Sequence, residues 1–180
     1  MEHRRVRRMV YAALCLALAL VLPFLTGQIR EIGNMLCPMH LPVLLCGYLC
    51  GGVWGAAVGF VAPLLRSVLF GMPRPIYPIA AAMALELAAY GALAGALYRL
   101  LPKKTWGIYA SLALAMVGGR VVWGAARLIF AGLDGTAFPF EAFLAGAVLN
   151  AVPGILLQLV LVPLIVLAVR RAGHDPDGRP

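Results

Sequence analysis

The chain has 180 residues, 63% of them hydrophobic, and a mean hydropathy of +0.93. Soluble domains carry roughly 45–50% apolar residues, so a water-soluble fold of this size has no means of hiding that much apolar surface, and an integral membrane protein is expected. The net charge of +8 raises nucleic acid as a partner, but the basic residues gather beside apolar runs rather than along one face. That placement argues for anchoring to anionic lipid headgroups and against nucleic acid.

Ten of the fifteen Lys and Arg residues form three clusters: Arg4, Arg5, Arg7 and Arg8; Arg99, Lys103 and Lys104; Arg170, Arg171 and Arg179. Basic flanks mark the cytoplasmic side of a span. Three clusters on one side require an even number of crossings between each pair. The expectation is an all-α, six-helix bundle forming one transmembrane domain over residues 1–180, with both termini cytoplasmic.

The first span is expected over residues 9–26, with Pro23 near its outer end. No small-x-small cleavage site follows it, so it reads as a retained helix and not a signal peptide. A loop of mixed polarity leads to His40. The next apolar stretch is about 30 residues, and one straight helix of that length would measure ~45 Å against a ~30 Å hydrocarbon core. Gly51, Gly52 and Gly55 divide it into spans at 41–51 and 53–70, and the charge count needs that division. Pro73 and Pro75 keep the following outer loop from being helical. Further spans are expected at 77–100, 106–131 and 143–169. There is no internal repeat of the kind that marks inverted-repeat transporters.

Ionisable groups at membrane depth cost on the order of 2.5–3.5 kcal/mol each and need a partner or a wet cavity. Glu86 falls ~13 Å, and Arg120 ~16 Å, below the outer ends of their spans at 1.5 Å per residue. Matched depth and opposite sign predict an ion pair. Arg120, Trp123 and Arg127 share one face of the fifth span, as Glu86 and Tyr90 do on the fourth. Asn150 on the sixth and Arg66 on the third lie in the same outer half, and His40 opens the second. Those eight residues are the candidate substrate-binding set, converging on an outward-opening pocket for a small polar or anionic molecule with a flat ring. The inner halves read as almost purely apolar.

Cys15, Cys46 and Cys50 fall in spans and read as small packing residues. Cys37 is placed in an outward-facing loop with no second loop cysteine to pair with. Met35, Cys37, Met39 and His40 have the ligand types of a soft metal site, but one short string without a second cluster does not make one, and no metal is expected. No catalytic constellation of hydrolases is present. The absence of a Walker A loop means the chain cannot use ATP by itself.

The basic start, the Ala13-x-x-x-Ala17 helix, the Leu41-Pro42-Val43 string opening a glycine-broken hairpin and the run from Gly47 through Gly51-Gly52-Val53-Trp54-Gly55-Ala56-Ala57-Val58-Gly59 resemble the substrate-binding (S) components of energy-coupling factor (ECF) vitamin transporters. The resemblance spans nearly the whole chain. It implies capture of a vitamin or precursor from outside a bacterial or archaeal plasma membrane. It also implies docking of Ala13 and Ala17 onto a membrane coupling subunit that works with two cytoplasmic ATPases. The chain itself would then be no enzyme and hold no cofactor, its ATP being used by the partners. The signatures of thiamine, riboflavin and biotin binders are not found here, which leaves the ligand open. The alternative expectation is a self-sufficient secondary transporter or channel for a small polar solute.

Overall fold

The computed structural model describes residues 2–25, 37–73, 76–102, 104–136, 139, 141 and 152–172. Six α-helices and no strands occur among them: α1 (Glu2–Leu25), α2 (His40–Cys50), α3 (Gly52–Phe70), α4 (Ala81–Leu100), α5 (Thr105–Leu133) and α6 (Val152–Arg171). A kinked π turn, Ile76–Ala80, leads into α4, with Tyr77 in extended conformation at φ −110°, ψ 135°. Among the described residues, five segments are long and apolar enough to cross a membrane, and α2 is a shorter apolar helix.

Short as it is, α2 lies at the centre. Nine of its eleven residues are buried, so it has no solvent or lipid face, as expected of a helix that is apolar all round. Leu44 and Tyr48 join Tyr90, Ala94, Ile108, Leu112, Val162 and Val166 in a core shared with α4, α5 and α6. Val43, Cys46 and Cys50 join Ala12, Cys15, Ala19, Val58 and Leu87 in a second core shared with α1, α3 and α4. Helices α2 and α4 therefore form the wall between two apolar layers. Cys15, Cys46 and Cys50 are buried in the second of these cores.

Glycine sets the spacing of that wall. Gly51, at φ 98°, turns the chain from α2 into α3 with one residue, a backbone state that a side chain would strain. A Cβ on Gly55 would lie 2.7 Å from the Gly91 carbonyl oxygen, and one on Gly47 would lie 2.6 Å from the same atom. Backbones at this distance leave no volume for a methyl group. Close approach of Gly52 to Gly95, Gly55 to Gly91 and Gly59 to Leu87 makes α3 and α4 antiparallel.

On α1 the face is settled by packing. Ala12, Cys15 and Ala19 point into the bundle, while Ala13 and Ala17 are exposed beside Val10, Leu14, Leu18 and Val21. The inner halves are less apolar than expected. The Tyr48 hydroxyl lies 2.8 Å from Ser111 Oγ and 3.2 Å from the Ile108 carbonyl, to which Ser111 donates at 2.9 Å. Two hydroxyls thus satisfy each other in a fully buried place.

Candidate functional site

The charged centre of the bundle is Glu86 on α4, with a side chain 3% exposed. Its Oε1 accepts a hydrogen bond from Arg120 Nη1 at 2.8 Å and lies 3.4 Å from His40 Nε2. Three helices are tied through one carboxylate oxygen. The Arg120 contact has the length of a charge-assisted hydrogen bond, whereas the His40 contact is at the long limit. With Nε2 carrying the proton toward the carboxylate, His40 Nδ1 is an acceptor, and it is buried without a hydrogen-bond partner.

Tyr90 stands one turn after Glu86, and its ring meets the His40 ring edge-on with centroids 4.9 Å apart. Gly119 makes room for it, since any Cβ there would run into the Tyr90 ring. The residue preceding Arg120 is thus as necessary to the arrangement as Arg120 itself.

Cys37, in the turn before α2, is buried. Its backbone takes a left-handed φ of 47° and its carbonyl accepts the His40 N–H at 3.0 Å. That turn folds the thiol onto Arg120, whose Nη2 lies 3.7 Å from the sulfur. Burial pushes the Cys37 thiol above its ordinary range, opposed by the Arg120 guanidinium and reinforced by the Glu86 carboxylate. It is a neutral thiol beside a charged pair. No group of His, Cys, Asp or Glu suited to a metal ion occurs among the described residues.

His40, Glu86, Tyr90 and Arg120 are thus brought together. Trp123 and Arg127, both half-buried, continue the same face of α5 beyond Arg120, and each makes an interaction of its own. Arg66 lies apart on α3. It is 4% exposed, its guanidinium carbon is 5.4 Å from the centre of the Phe24 ring, and its Nε is buried without a hydrogen-bond partner. Phe24 stacks edge-on with Phe70 at 4.9 Å, and Ser67 next to Arg66 donates to the Pro73 carbonyl at 2.7 Å. Asn150 and Met35 lie outside the described residues, as do Lys103 and Arg179 of the basic clusters. Gln158 on α6, 3% exposed, is a buried polar group that sequence reasoning left out of the candidate set; its place on a span far from any charge gave no signal.

The long apolar helices are those of a multi-pass membrane protein, and its bundle encloses a cluster of polar and charged side chains. Over residues 7–166 the chain matches the family described as ECF transporter, substrate-specific component, and it belongs to that family. Members are the substrate-binding subunits of ECF transporters, not enzymes, and the family implies coupling and ATPase subunits as partners together with a small-molecule substrate. Comparison with curated proteins and with solved structures gives no match.

Proposed function

We propose that this chain captures a vitamin or vitamin-like precursor bearing an anionic group from outside a bacterial or archaeal plasma membrane. It passes the ligand inward through a coupling subunit and two cytoplasmic ATPases. The chain crosses the membrane six times with both termini in the cytoplasm, and it needs no cofactor of its own. His40, Glu86, Tyr90, Arg120, Trp123, Arg127 and Asn150 receive the ligand, and Arg66 answers its negative charge. The exposed Ala13 and Ala17 meet the coupling subunit.

The observation that carries this reading is a set of unmet polar needs in and beside the charged cluster. Arg120 Nη1 and Glu86 are paired, yet His40 Nδ1, Arg66 Nε and Arg120 Nε are buried without a hydrogen-bond partner. Buried polar groups are almost always satisfied. A ligand that donates to His40 and places an anion at Arg66 meets two of these needs, and the half-buried Trp123 offers a ring to a flat molecule.

The test is native mass spectrometry of the purified protein, followed by thermal shift with the metabolite it retains. One water-soluble anionic compound per chain is expected. An empty protein that no such metabolite stabilises sinks the reading. The Tyr48–Ser111 pair keeps a second reading in play, a self-sufficient secondary transporter or channel, because that reading needs polar groups along the inner half of the path. Uptake by the chain alone in proteoliposomes would favour it.

A further inference from the structure

Helix α6 carries a feature that the capture reading does not use. A groove of about 410 Å³ runs along it, lined chiefly by Val160, Pro163, Leu164 and Leu167, with Tyr109 of α5 and Arg171 as its polar members. Val160, Leu164, Leu167 and Arg171 recur at helical spacing, so the groove follows one stripe of the helix. From Val160 to Arg171 is about 16 Å at 1.5 Å per residue, half of a ~30 Å hydrocarbon core. The groove has the length of one leaflet, apolar for its whole run and basic at its end.

Arg171 is exposed, and it makes no hydrogen bond or ion pair with any described residue. Its guanidinium fork matches phosphate oxygens in pairs. Tyr109, 45% exposed, and Trp106, 54% exposed, stand near the start of α5, where aromatic side chains mark the level of the headgroups. Arg170 adds to the positive field at the end of α6. Charge, length and apolar lining agree on one occupant.

We infer that the α6 groove is a binding site for a single anionic phospholipid, with its phosphate on Arg171 and Tyr109 and an acyl chain lying along Leu167, Leu164 and Val160. The site is independent of the ligand cluster around Glu86.

The experiment is native mass spectrometry of the detergent-purified chain titrated with phosphatidylglycerol or phosphatidylcholine of identical acyl chains. The wild type is expected to hold one phosphatidylglycerol with a roughly ten-fold preference, because both lipids carry the phosphate but the choline cation of the other opposes Arg170 and Arg171. Arg171→Gln should bring that preference to within about two-fold. Leu164→Trp, at a lipid-facing position where no core packing is lost, should lower retention of both lipids. Arg99→Gln, a charge change outside the groove, should leave the preference intact. Equal retention of the two lipids by the wild type overturns the site, as does full preference in Arg171→Gln. An equal loss in Arg99→Gln would show diffuse surface charge instead. A lipid-free dimer abolished by Leu164→Trp would assign the groove to a second copy of the chain.

Discussion

The Glu86 oxygen that accepts the Arg120 hydrogen bond at 2.8 Å is the same atom that faces His40 Nε2 at 3.4 Å. A single carboxylate therefore joins α2, α4 and α5, and removing either neighbour leaves it differently exposed. Arg120→Ala strands a buried negative charge and is expected to cost about 3–5 kcal/mol of stability. Arg120→Ala combined with Glu86→Ala should cost less than the two single changes added together, by about 0.5–3 kcal/mol. Denaturation in detergent checks both. Strict additivity would mean that the two side chains do not depend on each other.

Arg66 gives a prediction about ligand charge. Arg66→Gln keeps most of the side-chain volume over Phe24 but loses the cation. Affinity for the anionic metabolite retained by the wild type should fall about 10- to 100-fold, the worth of a charged hydrogen bond of ~1.5–3 kcal/mol, with the fold intact. Isothermal titration measures it, and an unchanged dissociation constant would remove Arg66 from the site.

On α1 the predicted effect is on assembly alone. Ala13→Trp and Ala17→Trp add bulk to an exposed face, so stability should move by no more than about 0.5 kcal/mol. Co-purification with the coupling subunit should be lost while ligand binding persists. If the complex forms as before with both tryptophans in place, the docking face lies elsewhere.

The glycine seam predicts the opposite pattern. Gly91→Leu drives a side chain into the Gly55 backbone, and overpacking of this kind costs at least about 1–3 kcal/mol. Loss of ligand binding and of thermal stability should occur together, whereas Gly132→Ala, with open space around it, should change neither.

What could be read from the sequence follows from how costly a feature is to misplace. The Glu86–Arg120 pair was legible because charges at membrane depth have few places to go, and the two fall at matching depth on separate spans. Cys37 was not legible. Its burial depends on a left-handed turn that no glycine or asparagine announces, so it read as ordinary loop. The Tyr48–Ser111 pair was missed because two hydroxyls 63 positions apart carry neither charge nor period. The choice between Ala12 and Ala13 as the inward residue was equally silent: in an alanine-rich helix, only the partners decide which side is covered. Arg66 was picked out by its charge, but its aromatic surroundings of Phe24 and Phe70 come from the meeting of two helix ends.

The brevity of α2 has a mechanical corollary. At about 16 Å, the helix is half as long as a hydrocarbon core of ~30 Å is thick, and it ends at Gly51, over which the Arg99 side chain folds. Nine of its eleven residues are covered by the helices around it, so its neighbours, and not lipid, meet its sides. The other five helices, of 19 to 29 residues, carry the hydrophobic thickness, so the length of α2 answers to packing and not to the bilayer.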